Sequence, residues 1–228
     1  MIKTLNPGVK RLYFTAVGTL ITLLSSGCSL VGINSVEEAN YSVLIKDDSF
    51  ELRNYEPMVI VETTIDDDFE NAGNKAFRRL FAYISGENVT NSEIAMTAPV
   101  IADPAGTGDG AKIAMTAPVL QLYSQGGWRY AFVLPADFTL ETSPKPLDKK
   151  VKLTQVPAKQ VAVIQYSGLW SEQNMQDKTS ELNNWMSANN LISASEPRWA
   201  GYNPPWTIPF LRRNEVMIDV QQGELTDQ

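Results

Sequence analysis

The chain has 228 residues, 43% of them apolar and 20% charged, with 19 basic side chains, 26 acidic ones and no histidine. This apolar share excludes a disordered polymer, and a net charge of −7 argues against a nucleic-acid binder held by phosphate contacts. Without histidine, the commonest proximal heme ligand, every Ser-His or Cys-His nucleophile system and most zinc sites are gone.

Residues 1–27 read as a lipoprotein signal peptide. Lys3, Lys10 and Arg11 precede the mostly apolar run from Leu12 to Leu24, which is too short for a bilayer span of about 20 residues. Ser25-Ser26-Gly27 then lead into Cys28, the single cysteine, placed like the lipidated cysteine of bacterial lipoproteins. The match resembles a lipobox with one departure, Ser25 where leucine is usual; the alternatives are a plain signal peptide or an incidental buried cysteine. Cleavage there removes three basic residues and no acidic one, taking the net charge from −7 to −10. Residues 28–40 follow as lipidated cysteine and polar tether, 41–221 as the folded domain and 222–228 as a polar tail. Ser29 behind the cysteine fits outer-membrane rather than inner-membrane sorting, so the expected location is periplasmic and membrane-anchored.

From Tyr41 the pattern is strand-like. Tyr41 to Ile45, Phe50 to Tyr55 and Val59 to Ile65 are expected strands, with Asp47-Asp48 supplying a turn. A helix follows, capped by Asp68, with Phe69, Ala72, Ala76, Phe77, Leu80 and Ile84 forming its apolar stripe, and ending before Gly86. Next, Ile94-Ala95-Met96-Thr97-Ala98-Pro99-Val100 recurs unchanged at Ile113-Ala114-Met115-Thr116-Ala117-Pro118-Val119. The alternation predicts a two-stranded antiparallel unit around a Gly-rich loop, with Met96 and Met115 facing one space and the prolines at edges or strand ends.

Trp128 to Leu134, Val151 to Thr154 and Gln160 to Tyr166 are further expected strands, then a helix from near Ser171 to Asn190, then a last strand from Glu215 to Val220. The order suggests two related halves and a mixed sheet curved into a barrel, with both helices packed outside. A proline before a Val-rich strand in both Leu52 to Val61 and Leu153 to Val163 is a weak echo of duplication.

Two segments carry a family resemblance: Lys112 to Val119, and Tyr202-Asn203-Pro204-Pro205-Trp206-Thr207-Ile208-Pro209-Phe210 leading into Arg212-Arg213-Asn214-Glu215-Val216. With Tyr55-Glu56-Pro57 and Leu134-Pro135, they make the chain resemble the SOUL family of heme-binding proteins from about Tyr41 to Val220. The resemblance implies an α+β fold: a distorted, mostly antiparallel β-barrel of two similar halves, each with a packed α-helix. It also implies binding of heme or another tetrapyrrole in an apolar groove beside the first helix.

Heme held without imidazole would rest on apolar burial, with an axial bond only from Met, Tyr, Lys or solvent. Its propionates call for cations, and Lys75, Arg78 and Arg79 on the first helix, with Arg212 and Arg213, are available. For the helix residues a solvated face is the competing reading; for the last two it is an ion pair before the final strand. Met96 and Met115 offer polarisable surface or core filling, and Tyr202 with Trp206 lines a groove or closes the barrel. The expected cofactor site is thus Lys75, Arg79, Met96, Met115, Tyr202, Trp206 and Arg212.

Glu215 is the candidate base for a rival reading, a small-molecule hydrolase or effector-binding domain, unless an arginine partner silences it. A third reading is an envelope scaffold that receives a protein partner. The glycines at 106, 108 and 110 precede a strand rather than a helix, so they form no phosphate cradle.

Overall fold

The computed structural model describes residues 37–89, 110–124, 127–203 and 206–221. The signal peptide, Cys28, the first heptapeptide copy with Met96, the loop to residue 109, Pro204-Pro205 and the 222–228 tail lie outside the described residues. Strands β1 (Tyr41–Asp47) and β2 (Phe50–Tyr55) form a hairpin turning at Asp48, whose φ of 51° an aspartate tolerates. β3 (Met58–Ile65) leads into α1 (Phe69–Ile84), where the Asp68 carboxylate accepts the Asn71 N–H at 2.9 Å. Then come β4 (Asn88–Val89), β5 (Val119–Ser124), β6 (Gly127–Val133), β7 (Lys145–Pro146), β8 (Lys152–Val156) and β9 (Lys159–Tyr166). Helix α2 (Glu172–Ala188), capped by Ser171, β10 (Arg198–Gly201) and β11 (Asn214–Asp219) complete the chain.

Nine strands form one sheet in the order β1-β2-β9-β11-β10-β5-β6-β3-β8, and every pairing is antiparallel, so the expected mixed sheet is corrected. The order reads alike outward from its β10–β5 centre. In β3-α1-β5-β6 the first strand pairs with the third and the third with the second, and β9-α2-β10-β11 repeats this. Each half also lends its leading strand to the other, β2 pairing with β9 and β8 with β3. The halves are interlocked, and neither holds a complete sheet alone.

Strand alternation assigns the two faces. α1 lays Ala72, Ala76, Leu80, Tyr83 and Ile84 on Val59 and Val61 of β3 and on Tyr130 and Phe132 of β6. On the same face α2 sets Leu182, Trp185 and Met186 against Ala162, Ile164, Val216 and Ile218. A fully buried Leu80 or Leu182 stabilises the fold by about 1.5–3 kcal/mol through area removed from water. The other face carries Ile60, Ala131 and Val133 in one half and Val161, Val163 and Met217 in the other. Tyr55 of β2 and Val156 of β8, far apart in strand order, line one cleft there, so the sheet curls around it.

Two expectations change. The second heptapeptide copy is not a strand until Val119. Ile113 donates its N–H to the Ile84 carbonyl, Thr116 donates its hydroxyl to the Val133 carbonyl, and Ala117 bridges to Glu38, ahead of a cis peptide at Pro118. These anchors break the alternation: Met115 is exposed while Thr116 and Ala117 are buried. Phe77, expected in the buried stripe, is 41% exposed at the margin of α1, touching Phe132 edge to face.

Candidate functional site

The inward surface is divided between two halves with different contents. Under the second half lies a buried cluster of charge. Arg53 of β2 and Glu215 of β11 are 1% and 0% exposed, and the guanidinium donates two parallel bonds of 2.9 Å to the carboxylate. Tyr202 donates its hydroxyl to Glu215 Oε2 at 2.6 Å, and Arg213 donates to Oε1 at 2.9 and 3.1 Å. Arg53 also reaches Glu51 at 2.7 Å and the Tyr55 hydroxyl at 3.1 Å, and its charge sits 4.4 Å from the Tyr41 ring centre. Arg213 lies 3.8 Å over the Tyr202 ring and clasps Glu38 at 2.9 and 3.0 Å, tying the segment before β1 into the cluster.

Every acceptor direction of Glu215 is therefore occupied, and no lone pair remains for a base. The fixing ion pair expected of Arg212 or Arg213 falls to Arg213; Arg212 donates instead to the Thr207 carbonyl at 2.7 Å. Burial, with the charge of Glu215 adding to it, holds the Tyr202 hydroxyl well above its usual pKa. Burial chiefly pushes Tyr55 up to about 12.

Under the first half the same surface is open. A cleft of about 290 Å³ is walled by Met58, Ile60, Leu120, Ala131, Val133 and Val156, and Met217 joins from the second half. Its polar lining includes Glu62, Arg129, Gln121 and, from the second half, Lys159, Glu196, Arg198 and Asp219. Asp219 is held by Arg198 at 2.5 Å and Lys159 at 2.8 Å; despite its burial these cations keep its carboxyl below the usual range.

The outer surface offers a third feature, the two shoulders of α1. Phe77 and Phe81, one turn apart, are 41% and 46% exposed, with centroids 5.8 Å apart and planes 13° from parallel. The 113–116 segment runs from the Ile84 carbonyl at the end of α1 to the Val133 carbonyl, and Met115 within it is exposed. Gly110 makes the approach possible, since a side chain there would meet the Gly86 carbonyl at 1.7 Å. At 100° per residue, Arg78 starts from the crest and Lys75 and Arg79 from the shoulder opposite the rings; the Arg78 side chain donates to the Asn74 carbonyl at 3.2 Å and lines the same groove as Lys75 and Arg79. There Lys75 pairs with Asp67, and Arg79 with Asp148 at 3.1 Å and the Thr63 hydroxyl at 2.9 Å.

The seven expected site residues are thus not brought together. Lys75 and Arg79 line a charged groove on one side of α1, Met115 is exposed outside that groove, Tyr202 is locked in the buried cluster, and Met96 lies outside the described residues. Trp206 neither lines the cleft nor closes the barrel. It is 66% exposed, beside Phe210 at 70%. Sequence reading missed Arg53, whose strand context looked like any solvated position. It also missed Glu62, one charge in an apolar run, although even spacing from Met58 and Ile60 could have pointed it inward.

A curled antiparallel sheet with both helices outside and an apolar hollow within defines a ligand-binding shell rather than a filled barrel. The chain belongs to the SOUL heme-binding protein family, whose model matches residues 36–219. Human heme-binding protein 2 is 27% identical over 184 residues, 79% of this chain and 82% of the human one. The fold is also that of the EcmrR C-terminal domain, with a TM-score of 0.51 at 12% identity over 80% of this chain and 98% of that one. EcmrR in its DNA complex gives the same TM-score at 13% identity, over 76% of this chain and 57% of that one.

Removing the charge of Glu215 while keeping its shape leaves Arg53 buried without a counter-ion. Glu215→Gln should destabilise the protein by about 3–5 kcal/mol in urea unfolding. Alkali gives a second check. Tyr55 and Tyr202 ionise more readily unfolded, near pH 10, than folded, so their contribution is complete below pH 10 and is lost as pH rises through their folded values. The melting temperature should fall from pH 10 toward 12, and less steeply in Tyr202→Phe.

Proposed function

We propose that the protein binds heme or a related tetrapyrrole noncatalytically, with the macrocycle lying against the Phe77–Phe81 shoulder of α1. The observation that carries this reading is the exposed, near-parallel pair of phenyl rings in a member of a heme-binding family. The two rings stack near-parallel on each other and leave apolar surface exposed, against which a planar guest can lie. Arg78, which starts from the crest of α1, would have to leave its bond to the Asn74 carbonyl to meet a propionate, and Met115 is an exposed soft donor. The inner cleft, at about 290 Å³, is at the low end of the roughly 300–1,000 Å³ of drug-sized pockets and is too small to enclose four pyrrole rings.

Bound heme would supply an iron centre, while this chain supplies apolar contact and charge. With no histidine in the sequence, retention rests on burial rather than on a strong axial bond, which suits reversible buffering, transfer or sensing. Titrating the full chain with hemin should give a saturable Soret shift at micromolar concentration, weakened at least tenfold in Phe77→Ser/Phe81→Ser. An absent shift, or one the double variant leaves unchanged, contradicts the reading.

We also propose that the domain works in the periplasm on a lipid anchor at Cys28, supported by the short apolar run and the small residues before that cysteine. Mass spectrometry of the native protein should find a diacylglycerol-type increment on Cys28. Cys28→Ala should move it from the membrane to the soluble fraction.

A further inference from the structure

The inner cleft is separate from the α1 shoulder, because β3 and β6 turn opposite faces to the two. Its walls are apolar, yet they hold Glu62 with its side chain only 13% exposed. One carboxylate oxygen accepts from the Thr154 hydroxyl at 2.7 Å. The other, Oε2, is buried and has no hydrogen bond; only Arg129, at 3.4 Å and 44% exposed, stands near it. A buried acceptor left in this condition costs about 1–3 kcal/mol, more when charged, so it favours whatever donor can reach it.

Of the remaining charges of the wall, Glu196 among them, Lys159, Arg198 and Asp219 are committed to one another. Lys159 and Arg198 both point at Asp219, 2.8 and 2.5 Å from its oxygens, so neither cation is left facing an empty partner. Glu62 is thus the charged group of the cleft whose buried oxygen has only a long ionic contact, so a complementary guest donates there; Gln121 Nε2, also at the cleft, is a buried donor without a hydrogen bond. Roughly 290 Å³ is the bulk volume of about ten waters, which limits the guest to one or two rings. Ile60, Leu120, Ala131, Val133 and Met217 require its body to be apolar. The net charge of −7 favours the approach of a cation.

We propose that this cleft is a second binding site, which takes a compact apolar amine whose ammonium donates to Glu62 Oε2. The charge-assisted bond replaces the long contact to Arg129, and that arginine swings to solvent. Recognition then depends on one buried oxygen and on the volume beside Ala131.

Calorimetric titration of the full chain with 1-naphthylmethylamine, 1-naphthylmethanol and 1-naphthoic acid tests this directly. The amine should bind saturably, the alcohol more weakly and the acid not at all. Glu62→Gln, which still accepts from Thr154, should weaken the amine at least tenfold, and Ala131→Leu should abolish binding by filling the cleft. Hemin binding should be unchanged in both, which separates this site from the α1 shoulder. Tighter binding of the acid, amine binding indifferent to both variants, or no saturable amine binding to the folded wild type would overturn the proposal. If Glu62→Gln does not fold, Ala131→Leu and the ligand series decide.

Discussion

The paired hydrogen bonds between Arg53 and Glu215 organise this molecule. They join β2, donated by the first half, to β11 of the second, across the strand exchange that interlocks the halves. Burying two charges is costly unless geometry and further hydrogen bonds compensate, and here both are present. Glu215 accepts from three donor side chains, and Arg53 is shared among two carboxylates and a phenol. Truncating either partner strands the other, so the pair specifies register and closure more than it adds net stability.

One consequence is an asymmetry that strand order alone does not show. Both halves have the same strand-helix-strand-strand plan, but only the second carries the charge cluster on its inner surface, and the cleft reaches just the Lys159, Arg198 and Asp219 end of that half. The first keeps its hollow, and its helix also carries the exposed rings. Glu38, clasped by Arg213, ties the segment before β1 to the same cluster, and Ala39 beside it lines the cleft. If Cys28 carries lipid, the connection from membrane to binding shell runs through this contact.

Much of this was legible in the residues. Asp68 caps the first helix as expected and the second starts at Ser171 as expected, with that serine as its cap, because a short polar side chain before an apolar stripe satisfies the free N–H groups of a first turn. The strands rich in Val and Ile were equally plain. β10 was missed because Arg198 to Gly201 is short and ends in glycine, and β5 because the heptapeptide repeat drew the boundary six residues early. That repeat fails as a strand where tertiary hydrogen bonds at Ile113 and Thr116 override local alternation. The candidate site was harder still. Lys75, Arg78 and Arg79 look alike in sequence, yet two are held by Asp67 and Asp148 while Arg78 bonds back to the Asn74 carbonyl. Arg53 and Glu215 are 162 positions apart, and no local pattern announces a partner at that distance.

Tetrapyrrole binding belongs to α1 of the first half, while the charge cluster seals the inner surface around Glu215. Amide chemical-shift mapping with diamagnetic gallium protoporphyrin IX tests it most directly. Perturbations should gather on residues 73–82 and 113–116, leaving the amides of Arg53, Tyr202 and Glu215 unmoved. Shifts centred on the second half instead, around Tyr202 and Glu215, would contradict the account.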